Sequence, residues 1–295
     1  MTHKQAQAVA LITVFVVTLV LALSVGAGTA AAQEPGIEQF NETYGGSDRD
    51  FVRSVIQTSD GGYALGGFTE SSGPGTGAAW LIKTDENGVE QLSRTYGGSG
   101  FDSLTSVVQT SDGGYALAGT TESFGSGGSD AWLIKTDRFG TEQFNVTFGG
   151  ANDDSLFSMV QTSDGGFALA GETESFGPGG DDAWLVKTDA SGQEQFDETY
   201  GGSEIDQAFS VVQTSDGGYA LAGDTGSFGS SDDEGWLVKT DSDGTEQFNE
   251  TYGGSDDEAF TSVLQTPDGG YALGGDTGSL GSGSDDAWLV KTDAS

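Results

Sequence analysis

Beyond residue 32, apolar residues come in short runs bounded by glycine, serine and aspartate, the pattern of β-strands separated by turns. The runs repeat. An aromatic recurs at Tyr63, Tyr115, Phe167, Tyr219 and Tyr271, and a tryptophan at Trp80, Trp132, Trp184, Trp236 and Trp288, so that each step is 52 residues. A T-[YF]-G-G landmark keeps the same register at Tyr44, Tyr96, Phe148, Tyr200 and Tyr252. In the first unit the pattern predicts four strands, A to D, over 51–58, 62–69, 79–84 and 89–96. Strands A and B are joined by S-D-G-G. Strands C and D are joined by K-T-D-x-x-G, which ends on Gly88, Gly140, Gly192 and Gly244. Both are hairpin signals, because glycine takes positive φ without a Cβ clash.

Strand C reads W-L-[IV]-K-T, and strand A also carries adjacent apolar residues. A strand with one wet face would alternate, so these runs predict sheets covered on both faces. Small four-stranded sheets stacked around an axis meet that requirement, which predicts an all-β, five-bladed β-propeller over 33–295. Residues 36–44 read as a D strand, while the last unit stops at its C strand, Trp288–Asp293. The ring is therefore expected to close by pairing Ile37–Tyr44 with Trp288–Thr292, giving a monomeric propeller.

Composition changes the picture in three places. Residues 1–32 begin with a short basic stretch, continue with a long apolar run and end on Ala30-Ala31-Ala32. This predicts a signal peptide or an N-terminal membrane anchor, and hence an extracellular or cell-surface location. The chain has 46 acidic and 10 basic residues, for a net charge of −36. That charge excludes nucleic acid as a partner and points to a source living in high salt. Taken with the modest aliphatic content it would suggest disorder, but a disordered chain does not hold five tryptophans in register. Finally, cysteine is absent and the single histidine is His3. A mature chain without either has no Ser-His-Asp or Cys-His machinery and no His/Cys zinc site.

The string SDGGYALAG followed by DAWL[IV]KTD resembles the β-propeller repeats of secreted and cell-surface proteins widespread in archaea, halophilic and methanogenic ones included. The resemblance covers 36–295. The D-x-x-G-x-E-Q-F element is also similar to the D-x-x-G-x-x-x-W docking element of quinoprotein propellers, with Phe144, Phe196 and Phe248 at the aromatic position. The five-unit count departs from the eight blades usual in those enzymes. The resemblance implies fold and location, with no activity assigned.

The tryptophans read as packing between blades. The D–A connections carry Asp50, Asp102, Asp154, Asp206 and Glu258, and most B–C connections end on an acid: Asp130, Asp182, Glu234 and Asp286, with Ala78 the exception. Both connections fall on one face of a propeller. Two readings are open for that face: a rim binding Ca²⁺ or a polyol, with oxygen ligands suited to a hard cation, or loop capping and solvation in salt. Asp241-Ser242-Asp243-Gly244 is similar to part of a calcium loop, but the equivalent turns lose the ligand pattern, so it reads as a hairpin. Three sequons, at Asn41, Asn145 and Asn249, share one place on strand D, the outermost strand, and are glycosylation candidates.

The units differ at few positions. Chief among them are Phe68, Thr120, Glu172, Asp224 and Asp276 after strand B, and Arg49 and Arg53 in the first unit. Catalysis needs unlike residues, so Glu172, Asp224 and Asp276 are what a glycoside hydrolase could use. The reading that follows is a secreted or membrane-tethered binding or structural module without enzymatic activity, needing no cofactor, with a cell-surface protein or glycan as partner. The alternative is a carbohydrate-active enzyme.

Overall fold

A computed structural model describes residues 38–229 and 233–294. Residues 1–32, where a signal peptide or anchor is expected, lie outside the described residues. Among the described residues there is no helix, and the strands form five antiparallel sheets. The first sheet is β1 (Asp50–Gln57), β2 (Tyr63–Thr69), β3 (Ala78–Thr84) and β4 (Glu90–Tyr96). The second is β5 (Asp102–Gln109), β6 (Tyr115–Thr121), β7 (Asp130–Thr136) and β8 (Glu142–Phe148). The third is β9 (Asp154–Gln161), β10 (Phe167–Thr173), β11 (Asp182–Thr188) and β12 (Glu194–Tyr200). The fourth is β13 (Asp206–Gln213), β14 (Tyr219–Thr225), β15 (Glu234–Thr240) and β16 (Glu246–Tyr252). The fifth has three strands, β17 (Glu258–Gln265), β18 (Tyr271–Thr277) and β19 (Asp286–Lys291). Within each sheet neighbours in sequence are neighbours in space.

The turns form as their chemistry dictates. In each described C–D hairpin the first aspartate caps the turn, as where Asp241 accepts from the backbone N–H groups of Asp243 and Thr245 at 2.9 and 3.0 Å. Gly244 closes that turn at φ 83°, a value a β-carbon would oppose. The calcium-like string is thus a hairpin.

Each sheet stacks on the next through side chains from both. Leu81 packs with Leu104, Val107, Leu117 and Trp132 of the second sheet, and Leu133 with Leu156, Met159, Leu169 and Trp184 of the third. Leu185 and Leu237 repeat the arrangement against Trp236 and Trp288. β3, β7, β11 and β15 are buried at every residue, which accounts for the consecutive apolar residues W-L-[IV] at their centres. The A strands of successive sheets touch one another, so they form the inner side of a propeller-like stack. Each A strand carries a β-bulge, with Arg53, Thr105, Phe157, Phe209 and Thr261 as the extra residues. The bulge brings the A-strand backbone so close to β10 that a Cβ on Gly171 would fall on the Ser155 carbonyl.

The two ends of the stack differ from its middle. Residues 38–46 carry no strand, and the pairing recorded for β19 is with β18. The expected pairing of Ile37–Tyr44 with Trp288–Thr292 is therefore not formed among the described residues. The physical sign is clear: Leu289 is 76% exposed, whereas Leu237, one unit earlier, is 1% exposed. Burial along β19 alternates, as in a sheet with one face uncovered. The segment before β1 nevertheless takes the place of a D strand on the first sheet. Tyr44 donates its hydroxyl to the Gly88 carbonyl at 2.5 Å, as Tyr96 and Tyr200 do to Gly140 and Gly244 at 2.8 and 2.6 Å.

Candidate functional site

The five acids expected to line a rim sit at the first residue of each A strand, facing inward. Asp102, Asp154, Asp206 and Glu258 are at most 1% exposed, and Asp50 is half-buried. Their oxygens are committed. Asp206 accepts from the Thr225 hydroxyl, from the Ser227 hydroxyl at 2.7 Å and from the Gly202 N–H at 2.8 Å. Asp50, Asp102 and Asp154 make the corresponding bonds, and Glu258 reaches Thr277, Ser279 and Gly254 with its longer chain. Each carboxylate ties the D–A turn to the end of strand B in its own sheet. Of the two readings open for this face, these bonds are those of loop capping, and they bury the carboxylates of all but Asp50. The signal was in the sequence, since a threonine and a serine follow each acid at fixed distances, 19 and 21 residues on.

The second tier is also internal. Asp130, Asp182 and Glu234 are buried, and Asp286 half-buried. Burial pushes the Asp130 and Asp182 carboxyls above the usual range, and the neighbouring Asp154 and Asp206 add to the effect. One oxygen of each lacks a hydrogen-bond partner. Among the described residues no three acidic, histidine or cysteine side chains gather as a metal site would require.

What the structure does bring together is two of the unlike residues, Glu172 and Asp224. Glu172 and Asp224 stand at the same place in adjacent sheets, with Gln207 between them: it is the cross-strand neighbour of Asp224 and donates its amide to the Glu172 carboxylate. Burial pushes Glu172 up to about 7, helped by the charges of Asp181, Glu174 and Asp153 and opposed by the Gln207 hydrogen bond. Burial pushes Asp224 up to about 8, with Asp233, Glu172 and Asp206 adding to it. Near neutral pH both groups hold a proton much of the time, so they offer neutral O–H donors beside an amide. That is a surface suited to hydroxyl-rich ligands.

On the first sheet the same place is aromatic and cationic. Phe51 and Phe68 stack at 5.4 Å, and Phe68 meets Phe101 edge-on at 5.0 Å. The Arg49 guanidinium lies 5.4 Å from the Phe51 ring and Arg53 5.8 Å from that of Phe68. Asp276 is half-buried on the last sheet, its carboxyl raised by burial and by Asp285. Of the sequons, Asn41 and Asn145 are exposed. Asn249 is half-buried, donating to Glu246 at 2.6 Å and accepting from the Trp236 indole at 3.4 Å.

No family model matches the chain. The regulatory protein FlaEY of Caulobacter vibrioides is 28% identical over 221 residues, covering 63% of this chain and 23% of that protein, so the chain spans less than a quarter of that relative's length. A protein of unknown function from Bacteroides caccae superposes with a TM-score of 0.50 at 11% identity, over 82% of this chain and 78% of that one. Sqt1 from Chaetomium thermophilum gives a TM-score of 0.50 at 15% identity, over 78% of this chain and 55% of that one. At such identities the likeness to solved structures is one of fold alone.

Proposed function

We propose that this chain is a five-bladed propeller, closed on itself, that serves outside the cytoplasm as a binding module at the surface of a cell living in high salt. Its ligand is a neutral glycan or a cell-surface glycoprotein, met at the end of the A strands where the units differ. One observation carries this reading: at that end Glu172, Gln207 and Asp224 form a protonatable, hydrogen-bonding set across adjacent sheets.

The test is a glycan and Ca²⁺ binding screen on residues 33–295 in molar salt. A glycan ligand should bind, lose affinity as pH rises through 7 to 8 and ionises Glu172 and Asp224, and bind more weakly to Gln207→Ala. Binding indifferent to both pH and Gln207 counts against the site. A second reading, hydrolysis of the glycan, draws on the raised carboxyls of neighbouring sheets. Product release that vanishes in Glu172→Gln or Asp224→Asn would replace the first reading with the second.

A further inference from the structure

Four sheet-to-sheet interfaces repeat in this molecule, and their contacts can be stepped forward by one unit to the pair of faces left over. The Ser54, Ser158 and Ser210 hydroxyls accept from the backbone N–H of Val107, Val211 and Val263 at 3.1, 3.3 and 3.2 Å. The next such pair in register is Ser262 of the last sheet with Val55 of the first. At the inner end, Phe68 meets Phe101, and Glu172 meets Gln207. Stepped on, both contacts converge on Asp276, whose counterparts in the first unit are Arg49 and Phe51, with Arg53 beside them. The equivalents of Arg49 are Phe101, Asp153, Ile205 and Asp257, and those of Arg53 are Thr105, Phe157, Phe209 and Thr261, so arginine occupies these positions only in the first unit. Arg49, itself exposed, pairs with the half-buried Glu70 at 3.3 Å, and Arg53 has no ion pair among the described residues.

The faces match in a second respect. The last sheet leaves Leu289 76% and Leu264 53% exposed, and the first leaves Val52 38% exposed, each at a position whose counterparts are covered in the middle of the stack. One contact cannot form there. Ser59, Ser111, Ser163 and Ser215 each donate an N–H to the glutamine of the next sheet at 2.8, 3.1, 2.8 and 2.8 Å. Pro267 stands at the corresponding place in the last unit and has no N–H to give Gln57.

We infer that the uncovered face of the last sheet docks on the first sheet of the same chain, and that this seam is held by an ion pair between Asp276 and the Arg49–Arg53 cluster. The inference rests on the closed-ring reading above and adds to it the group that holds the joint. The seam lacks one hydrogen bond that the other interfaces have, and it alone is joined by opposite charges, in a chain with few free cations. Closure also places the acidic and the aromatic-cationic ends of the unlike set side by side.

The chain has no cysteine, so introduced thiols report cleanly. The full chain carrying Val55→Cys and Ser262→Cys should oxidise to a cross-linked monomer as readily as a control carrying Ser210→Cys and Val263→Cys. Adding Asp276→Arg should slow the 55–262 cross-link about fivefold in dilute buffer and little in molar salt, leaving the control unchanged. Adding Arg49→Asp as well should restore the rate. A control that cross-links while 55–262 does not would overturn ring and lock together, and so would a 55–262 link found only between two copies. A 55–262 link that forms with no response to either charge reversal would leave the ring standing and overturn the lock. None of these outcomes depends on a ligand, so a failed binding screen is read separately.

Discussion

Glu172 and Asp224 stand where the first two units hold Phe68 and Thr120, and the exchange of side chain brings a pH dependence with it. An unfolded carboxyl titrates near pH ~4, whereas folded Glu172 titrates at about 7 and Asp224 at about 8. Between these limits the folded state binds more protons than the unfolded one, so these two groups make stability fall as pH rises from 4 to 8. Glu172→Gln and Asp224→Asn should each raise stability above pH 8, by about 1–3 kcal/mol, and change it little at pH 4; urea unfolding at the two pH values checks this. The aspartate paired with a repeated lysine has the opposite sign. Lys187 is 4% exposed and meets Asp164 at 2.9 Å. Hydrogen bonds from Thr162, Lys187 and Gly166 outweigh burial and hold the Asp164 carboxyl down at about 2. Its contribution is present above pH ~4 and lost as pH falls through about 2. Asp164→Asn should lower stability by about 1 kcal/mol or less at neutral pH, because the carboxylate side is half in water, and the difference should vanish in strong acid.

At the scale of the element, the acids that begin the A strands act on loops. Asp206 holds the turn before β13 against the end of β14, and without it two hydroxyls and one N–H lose their acceptor. Asp206→Ala should cost roughly 2–4 kcal/mol, while Gln207→Ala, one residue away, should leave the melting temperature nearly unchanged and affect binding instead. An equal loss of stability in both variants would contradict this division. The same elements show what was legible in advance. The strands of the first unit fall within one residue of the spans predicted, because tryptophan, tyrosine and turn glycine recur in every unit and reinforce one another. The burial of Asp102 or Asp154 was harder to see: an aspartate beside a glycine-rich turn looks like surface, and its partners lie some twenty residues away. The A-strand bulges were missed as well, although the glycine held in each B strand, Gly171 among them, was their sign. The grouping of Glu172 with Gln207 was beyond reach from sequence, since it depends on which side chains of neighbouring sheets lean toward the inner end.

For the whole molecule, charge is the dominant constraint. The net charge is −36, and the five repeated lysines are already tied to Asp60, Asp112, Asp164, Asp216 and Asp268, so the remaining acids have few counter-ions within the chain. Folding brings those acids closer together than they are in the extended chain, so self-repulsion weighs on the native state. Its range is about 10 Å in 0.1 M salt and about 3 Å at 1 M. The melting temperature should therefore fall on dialysis from molar KCl to dilute buffer. Salting-out of apolar groups would give the same direction, so a second chain is needed to separate the causes. Exchanging exposed Asp243, Asp257 and Asp285 for asparagine removes charge while leaving the apolar interfaces intact. If repulsion is the cause, this variant should lose less stability in dilute buffer than the native chain, and the two should converge in molar KCl. Parallel curves at all salt concentrations would assign the effect to apolar hydration and remove the ground for reading the surface as an adaptation to salt.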